Sequence, residues 1–431
     1  MRDPSSHPVF LFESYRGIPL VSIIVSLRTG SAHDDPAQEG LARMTARLVR
    51  RGTKRRSRTQ FDEALEAFGS ELSLDVGAST TSFGIQVLAK HASAMVDLLV
   101  EMFAEPALEE AEQERLRRET TAELLEVRDK DRALAQIALR RALFQGHVYG
   151  RSSSGRLSTV QHLTVADVRA FHTQHYVRGG VIVGIAGDID EVEAARLAAR
   201  IEGAFPERPA SPPVIPPPPG IKGRRVVLVD KADRTQSQLA IASLGTWAHD
   251  PDHAALGAAV SILGGTFTSR LMNEVRSKRG WSYSTSARAS VAEQRHAFSM
   301  WAFPAAKDTA PCLELELELL AAFVNEGITE DELAFIKKYL VRSFAFEIDT
   351  AQKRLGHRLD IELLGLPADF YSGYQGHIEA ITVAEANAAI AKRLTTEDLV
   401  IVVVGTAADL EADLRKTPRV DSFEVVPFDR D

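Results

Sequence analysis

The chain has 431 residues, 45% of them hydrophobic and 26% charged, and its formal charge is −8. That length accommodates two or more domains with large buried cores, and the balance is that of an ordinary globular protein. The negative charge offers no global field for nucleic acid, and one cysteine, Cys312, excludes both an internal disulfide and a thiolate zinc cluster.

The start, Met1 to His7, is polar and lacks the apolar core of an export signal, and no later run is long enough to span a membrane. A soluble protein of the bacterial cytoplasm or periplasm is expected; the residues do not choose the compartment. VSIIVSLRTGS and, later, VVLVDK are β-branched runs ended by turn residues, and predict strands. QEGLARMTARLVRRG, the long stretch from Met95 to Lys130, and HAALGAAVSILGG are helical in period. Thr164 and Thr382 each precede an acid by three residues, Asp167 and Glu385, which predicts two capping boxes. Strands come in bursts followed by helices, so the fold class expected is α+β rather than a doubly wound sheet.

ERPASPPVIPPPPG, residues 207–220, can neither join a sheet nor continue a helix, and reads as a semi-rigid linker between domains at 1–206 and 221–431. The two halves echo each other. LTVADV begins at Leu163 and ITVAEA at Ile381, an offset of 381 − 163 = 218. Gly187 and Gly405 stand in similar contexts at the same offset, and Asp35-Pro36 matches Asp250-Pro251 at 250 − 35 = 215. Nearly one offset at separate places predicts duplication of a domain of about 200 residues.

SLRTGSAHDDPAQEGLARMTARLVRRGT resembles the first block of the pitrilysin-type metallopeptidases, a group that includes mitochondrial processing peptidase and two-subunit bacterial peptidases. LGGTFTSRLMNEVRSKRGWSYSTSA resembles their second block, and HVYGRSSSGRLSTVQHLTVADVRAFHTQHYVRGGVIVGIAGDID between them also fits. The resemblance covers nearly the whole chain. It implies two homologous, sandwich-like domains of mixed helices and strands, facing each other as a clamp.

Active members carry H-x-x-E-H on the first helix: two imidazoles that hold zinc on one helical face, and a glutamate that activates the bound water. The aligned residues here are Arg43, Met44, Thr45, Ala46 and Arg47. Guanidinium has no lone pair to offer and keeps its proton, so Arg43 and Arg47 cannot be ligands, and Ala46 cannot be the base. The third ligand of active relatives is a glutamate on a later helix. Glu119, Glu123 and Glu126 lie in that region, but without the histidines they read as an exposed acidic face. His172 and His175 have ligand-like spacing without an acidic third member and read as structural histidines. Arg43, Arg47 and Arg50 share one helical face, which reads as a solvated surface or as the basic lining of a peptide chamber.

The zinc-less subunits of the bacterial pairs present an arginine and a tyrosine seven residues apart, here Arg276 and Tyr283. Phe267 to Lys278 reads as a helix with Leu271, Met272 and Val275 inward and Gly280 as its cap; Trp281, Tyr283 and Thr285 then alternate as a strand. A helix end folding back onto a strand start brings the two side chains together. The resemblance implies that they bind a carbonyl of the substrate backbone and that Tyr283 supports the oxyanion. Gly264-Gly265 is similar to the glycine-rich loop of the processing peptidase's alpha subunit, though much shorter, and by itself reads as a turn.

The function implied is that of the non-zinc subunit of a heterodimeric metalloendopeptidase. It binds and orients peptide for an H-x-x-E-H-bearing partner, and it has no cofactor of its own because zinc sits in that partner. A structural or assembly protein, and an autonomous peptide-binding homodimer, are the alternatives.

Overall fold

The computed structural model describes residues 7–431. Of the polar N-terminal stretch only His7 is among them, so the reading of that segment lies outside the described residues. The chain forms two mixed sheets covered by helices. The first has five strands in the order β1 (Val9–Ser14), β5 (Val181–Gly187), β2 (Leu20–Leu27), β4 (Thr81–Leu88), β3 (Ser73–Val76). The second has six: β11 (Val420–Pro427), β6 (Arg224–Asp230), β10 (Val400–Gly405), β7 (Gln238–Leu244), β9 (Ala297–Ala302), β8 (Thr285–Ala289).

The sheets repeat one design. In each, the first strand pairs in parallel with the last strand of the common set, β1 with β5 and β6 with β10. Antiparallel neighbours follow in matching order, β2-β4-β3 and β7-β9-β8. β11 is an addition, parallel to β6. The duplication heard in the sequence is therefore present in the topology. It also makes the end strands β3 and β8 counterparts.

β2 shows how pattern becomes layer. Val21, Ile23, Val25 and Leu27 are buried in the main core of the first sheet, under helices that include α1 (Leu41–Val49), α2 (Arg58–Glu66), α3 (Ala92–Ala104) and α4 (Glu110–Val127). The long helical stretch expected from Met95 to Lys130 is two helices, α3 and α4. Pro106 lacks the N–H a helix needs there, and Leu108 turns the chain at φ 46°. The capping boxes at Thr164/Asp167 and Thr382/Glu385 are both formed.

Two compact units result, and they are not consecutive stretches of chain. The first comprises residues 1–124, 151–215 and 346–365; the second comprises 125–150, 216–345 and 366–431. The boundaries expected at 206 and 221 thus miss an exchange of helices. α5 (Asp131–Phe144), from the N-terminal half, packs on β7 and β10 of the second sheet, where Lys231 at the end of β6 reaches Asp131 Oδ1 at 2.6 Å. The helix Ala351–Leu364, from the C-terminal half, packs on β1 and β5 of the first sheet. Arg354 and Arg358 bond Glu13 of β1, and Arg28 bonds Glu362 at 2.5 Å. The proline segment 207–220 carries neither helix nor strand, and it is tied down. Ile215 is buried, the His33 Nε2–H donates to the Ser211 carbonyl at 3.0 Å, and the His147 Nε2–H donates to Pro216 at 2.8 Å.

β5 is buried at every residue because both its faces are covered. Gly184 makes room for the exchanged helix, since a Cβ there would lie 3.0 Å from Leu355 Cδ1. Gly184→Val is expected to destabilise the protein by about 1–3 kcal/mol through overpacking. Leu355→Ala in the same chain should recover part of the loss. Strictly additive losses in denaturant unfolding of the single and double variants would show that the two residues do not press on each other.

Candidate functional site

In the first unit, α1 is fixed at its start by Asp34, whose buried carboxylate accepts the N–H groups of Gly40 at 2.9 Å and Ala42 at 2.8 Å. Burial raises this carboxyl to about 7. Leu41, Met44, Ala46, Leu48 and Val49 enter the core, which turns Arg43, Arg47 and Arg50 to the opposite face. All three are half-buried, so this face is not the solvated surface of an isolated amphipathic helix.

Arg47 forms a two-pronged ion pair with Glu123, at 2.8 and 2.7 Å, and also donates to the Thr120 hydroxyl at 3.0 Å. Arg51 pairs with Glu119 and, at 3.5 Å, with Glu112. Glu126 lies apart, paired with Lys130 at 2.7 Å. The expected acidic face is therefore divided: Glu119 and Glu123 neutralise arginines of the degenerate motif region, and only Glu126 is a plain surface residue. Where a metal would join helix α1 to α4, a guanidinium–carboxylate bridge does so.

His172 and His175 do not form a pair of ligands. His172 lies 4.7 Å from the Tyr176 ring, and His175 stacks on His33 at 4.1 Å. Burial pushes both imidazoles down to about 4, helped for His175 by His33, so both are neutral packing groups. Among the described residues no group of three or more histidine, cysteine or acidic side chains could hold a metal ion.

In the second unit, the chain from Ser261 to Gly265 and from Met272 to Lys278 is wound as π-helix, a form frequent at functional sites. The regular helix expected from Phe267 opens later, with Arg270 and Leu271, and Phe267 lies in the preceding turn. Leu271, Met272 and Val275 are buried, as their spacing predicts. Gly264 and Gly265 belong to the first π-helix rather than to a turn. A Cβ on Gly264 would clash with the backbone of Ala287 in β8, so the glycine allows helix and strand to touch.

The chain then folds back. Gly280 adopts φ 65°, its N–H bonds the Arg276 carbonyl at 3.0 Å, and Trp281 N–H bonds the Val275 carbonyl at 3.1 Å. Ser282 is buried and fixed at both ends. Its hydroxyl donates to the Ser284 carbonyl at 2.5 Å and accepts the N–H of Phe303 at 3.1 Å. β8 begins only at Thr285, so Tyr283 stands on this anchored approach rather than within the strand.

This return brings Arg276 and Tyr283 together. The guanidinium lies 5.0 Å from the centre of the Tyr283 ring and 4.4 Å from that of Phe267, so it is held by two aromatic rings. Tyr283 is 77% exposed and Phe267 70%, and among the described residues neither the Arg276 donors nor the Tyr283 hydroxyl has a hydrogen-bond partner. Aromatic support with unspent donors is what a site for an external carbonyl requires. Phe267 was not singled out in the sequence; its position nine residues before Arg276 follows no simple helical spacing because a turn intervenes.

Residues 9–155 match the family model described as Insulinase (Peptidase family M16), and residues 162–340 match Peptidase M16 inactive domain. The protein belongs to this pitrilysin-type family. It is 22% identical to the non-peptidase homolog YmxG of Helicobacter pylori, over 91% of each chain. It is 27% identical to an uncharacterized zinc protease of Mycobacterium tuberculosis, over 89% of this chain and 88% of that one. A solved structure, a peptidase M16 inactive domain from Pseudomonas fluorescens, superposes with a TM-score of 0.85 at 25% identity, covering 92% of this chain and 95% of that one. Family membership, a matched inactive domain and a first helix without metal donors define an inactive member of the family. No helix among the described residues is long and apolar enough to cross a membrane.

Proposed function

We propose that this chain is the substrate-orienting subunit of a two-chain zinc endopeptidase. A family partner bearing H-x-x-E-H supplies the zinc, the base and the nucleophilic water. This chain supplies Arg276, which donates to a backbone carbonyl of the peptide, and Tyr283, whose hydroxyl supports the oxygen as it gains charge. The observation that carries the reading is the pair itself: a guanidinium against both the Phe267 and Tyr283 rings, with no hydrogen-bond partner among the described residues. Recognition through backbone groups suits unfolded peptides of varied sequence, and the end strands β3 and β8 offer places where such a peptide adds as a strand.

The test is reconstitution. Alone, the chain is expected to hold no stoichiometric zinc by elemental analysis and to hydrolyse no peptide. Mixed with an H-x-x-E-H chain of the same organism, it should form a complex by gel filtration and generate peptidase activity that neither chain shows alone. Full activity of the partner without this chain would remove the role. Tightly bound zinc in this chain, lost on substitution of His172 or His175, would overturn the assignment of both sites.

A further inference from the structure

The first unit contains a cavity of about 400 Å³ that the proposed chemistry does not use. Arg43, Arg47, Arg50, Arg51 and Arg58 line it, together with Asp62, Glu71, Leu72 and the first residues of end strand β3, Ser73 and Leu74. Its cations are not alike. Arg47 is neutralised by Glu123, Arg51 by Glu119 and Glu112, and Arg58 lies 3.6 Å from Asp62. Arg50 donates to the backbone carbonyl of Leu72 at 2.9 Å and forms no ion pair among the described residues. Arg43 has neither a hydrogen bond nor an ion pair among the described residues, and its Nε is buried without a partner. Asp75 and Glu123 act on Arg43 only through space, as Asp62 and Glu71 do on Arg50. Among the described residues two guanidiniums are thus held partly out of water without an ion pair, although Asp62 and Glu71 share the cavity with them. That arrangement costs stability in the free protein unless an anion completes it.

We infer that this cavity binds a peptide carboxylate, with Arg43 and Arg50 as the binding groups. The planar fork of each guanidinium matches the two oxygens of a carboxylate. A side-chain acid and a free C-terminus present the same chemistry. The surrounding β3 residues place backbone beside the arginines, so the ligand is an extended peptide with an acidic group rather than a free ion. The pocket occupies the position of the lost zinc motif. The substitutions that removed metal ligands have, on this reading, exchanged a catalytic site for one that selects acidic peptide. The inference rests on the proposal that the chain binds peptide at all, and the experiment separates the two.

The probes are three fluorescent, extended peptides: one with central glutamates and an amidated C-terminus, one with glutamines and a free C-terminus, and one with glutamines and an amide. Anisotropy titrations on the full chain are expected to give at least one acidic probe about tenfold tighter binding than the neutral probe. Which of the two gains identifies the source of the carboxylate. Arg43→Gln with Arg50→Gln should abolish that preference and leave the neutral probe's affinity as it was. Equal binding of all three overturns the carboxylate pocket while peptide binding stands; binding of none overturns both. A fold control completes the test. Arg43→Met should melt at the wild-type temperature or higher, because it removes an uncompensated charge, whereas a lower melting temperature would show that Arg43 serves the fold and is not held for a ligand.

Discussion

In the reconstituted pair, Tyr283→Phe is expected to lower turnover by up to about 10²–10³-fold, the range for removal of one oxyanion donor, or roughly 2.7–4 kcal/mol. Assembly and fold should be unaffected. The side chain is 77% exposed, its hydroxyl has no partner among the described residues, and the ring that supports Arg276 is retained. The loss should fall on kcat, because the oxyanion charge exists only in the transition state. Arg276→Ala should lower kcat and raise KM, since a carbonyl bound by the guanidinium is bound in the ground state as well. Arg276→Lys should rescue poorly, as an ammonium offers neither the planar fork nor the same stacking between Phe267 and Tyr283. Phe267→Ala provides the finer test: if the rings position the guanidinium, it should behave as a partial Arg276 defect. Wild-type kinetics for all four variants, with association intact, would reduce the pair to surface structure and make this chain a scaffold.

How much of this was legible in the sequence varies with the physics of each part. The departure from H-x-x-E-H is read directly from residue type: arginine at 43 and 47 and alanine at 46 have no lone pair to give a metal. The meeting of Arg276 and Tyr283 was readable as far as helix, glycine and return. The π winding and the late start of β8 were not, since no local spacing distinguishes them from a regular helix and an earlier strand start, and the close approach of Gly264 to Ala287 joins residues distant in sequence. Glu123 as the counter-ion of Arg47 depends on the packing of α1 against α4, which no local pattern encodes. The helix exchange left a trace that was missed. β5 is apolar or small on both faces, with Gly184 in its middle, and such a strand requires cover on both sides. The sequence does not say which helix supplies that cover. A proline segment that looks like a domain boundary favoured the simpler division into consecutive halves.

Replacing Glu316 with glutamine is expected to make stability less dependent on pH, and to raise it above neutrality. Glu316 lies on the helix Thr309–Glu326, wholly buried, four residues from Cys312 and from Leu320, so helical period alone turns it inward while Glu314 does not share that face. Its Oε1 accepts the Thr285 hydroxyl at 3.1 Å at the start of β8, and its Oε2 has no partner among the described residues. Burial raises the carboxyl from 4.5 to about 8, outweighing the Thr285 bond, which acts in the opposite direction. Between those values the folded chain holds a proton that the unfolded chain has released. The carboxyl's contribution therefore falls as pH rises through this window and levels off above about 8. The full effect is on the order of a few kcal/mol, since each tenfold difference in proton affinity between folded and unfolded chain corresponds to about 1.4 kcal/mol. Glutamine does not titrate, but its amide brings donors to the place where Oε2 is unpartnered, at a cost of about 1–3 kcal/mol. Wild type should thus be the more stable protein near pH 5, with the order reversed near pH 9 in denaturant midpoints. Parallel pH profiles for the two proteins would mean that Glu316 is ionised in the fold, with a counter-charge or water at Oε2. The strand start below Tyr283 would then rest on a charge rather than on a neutral acid.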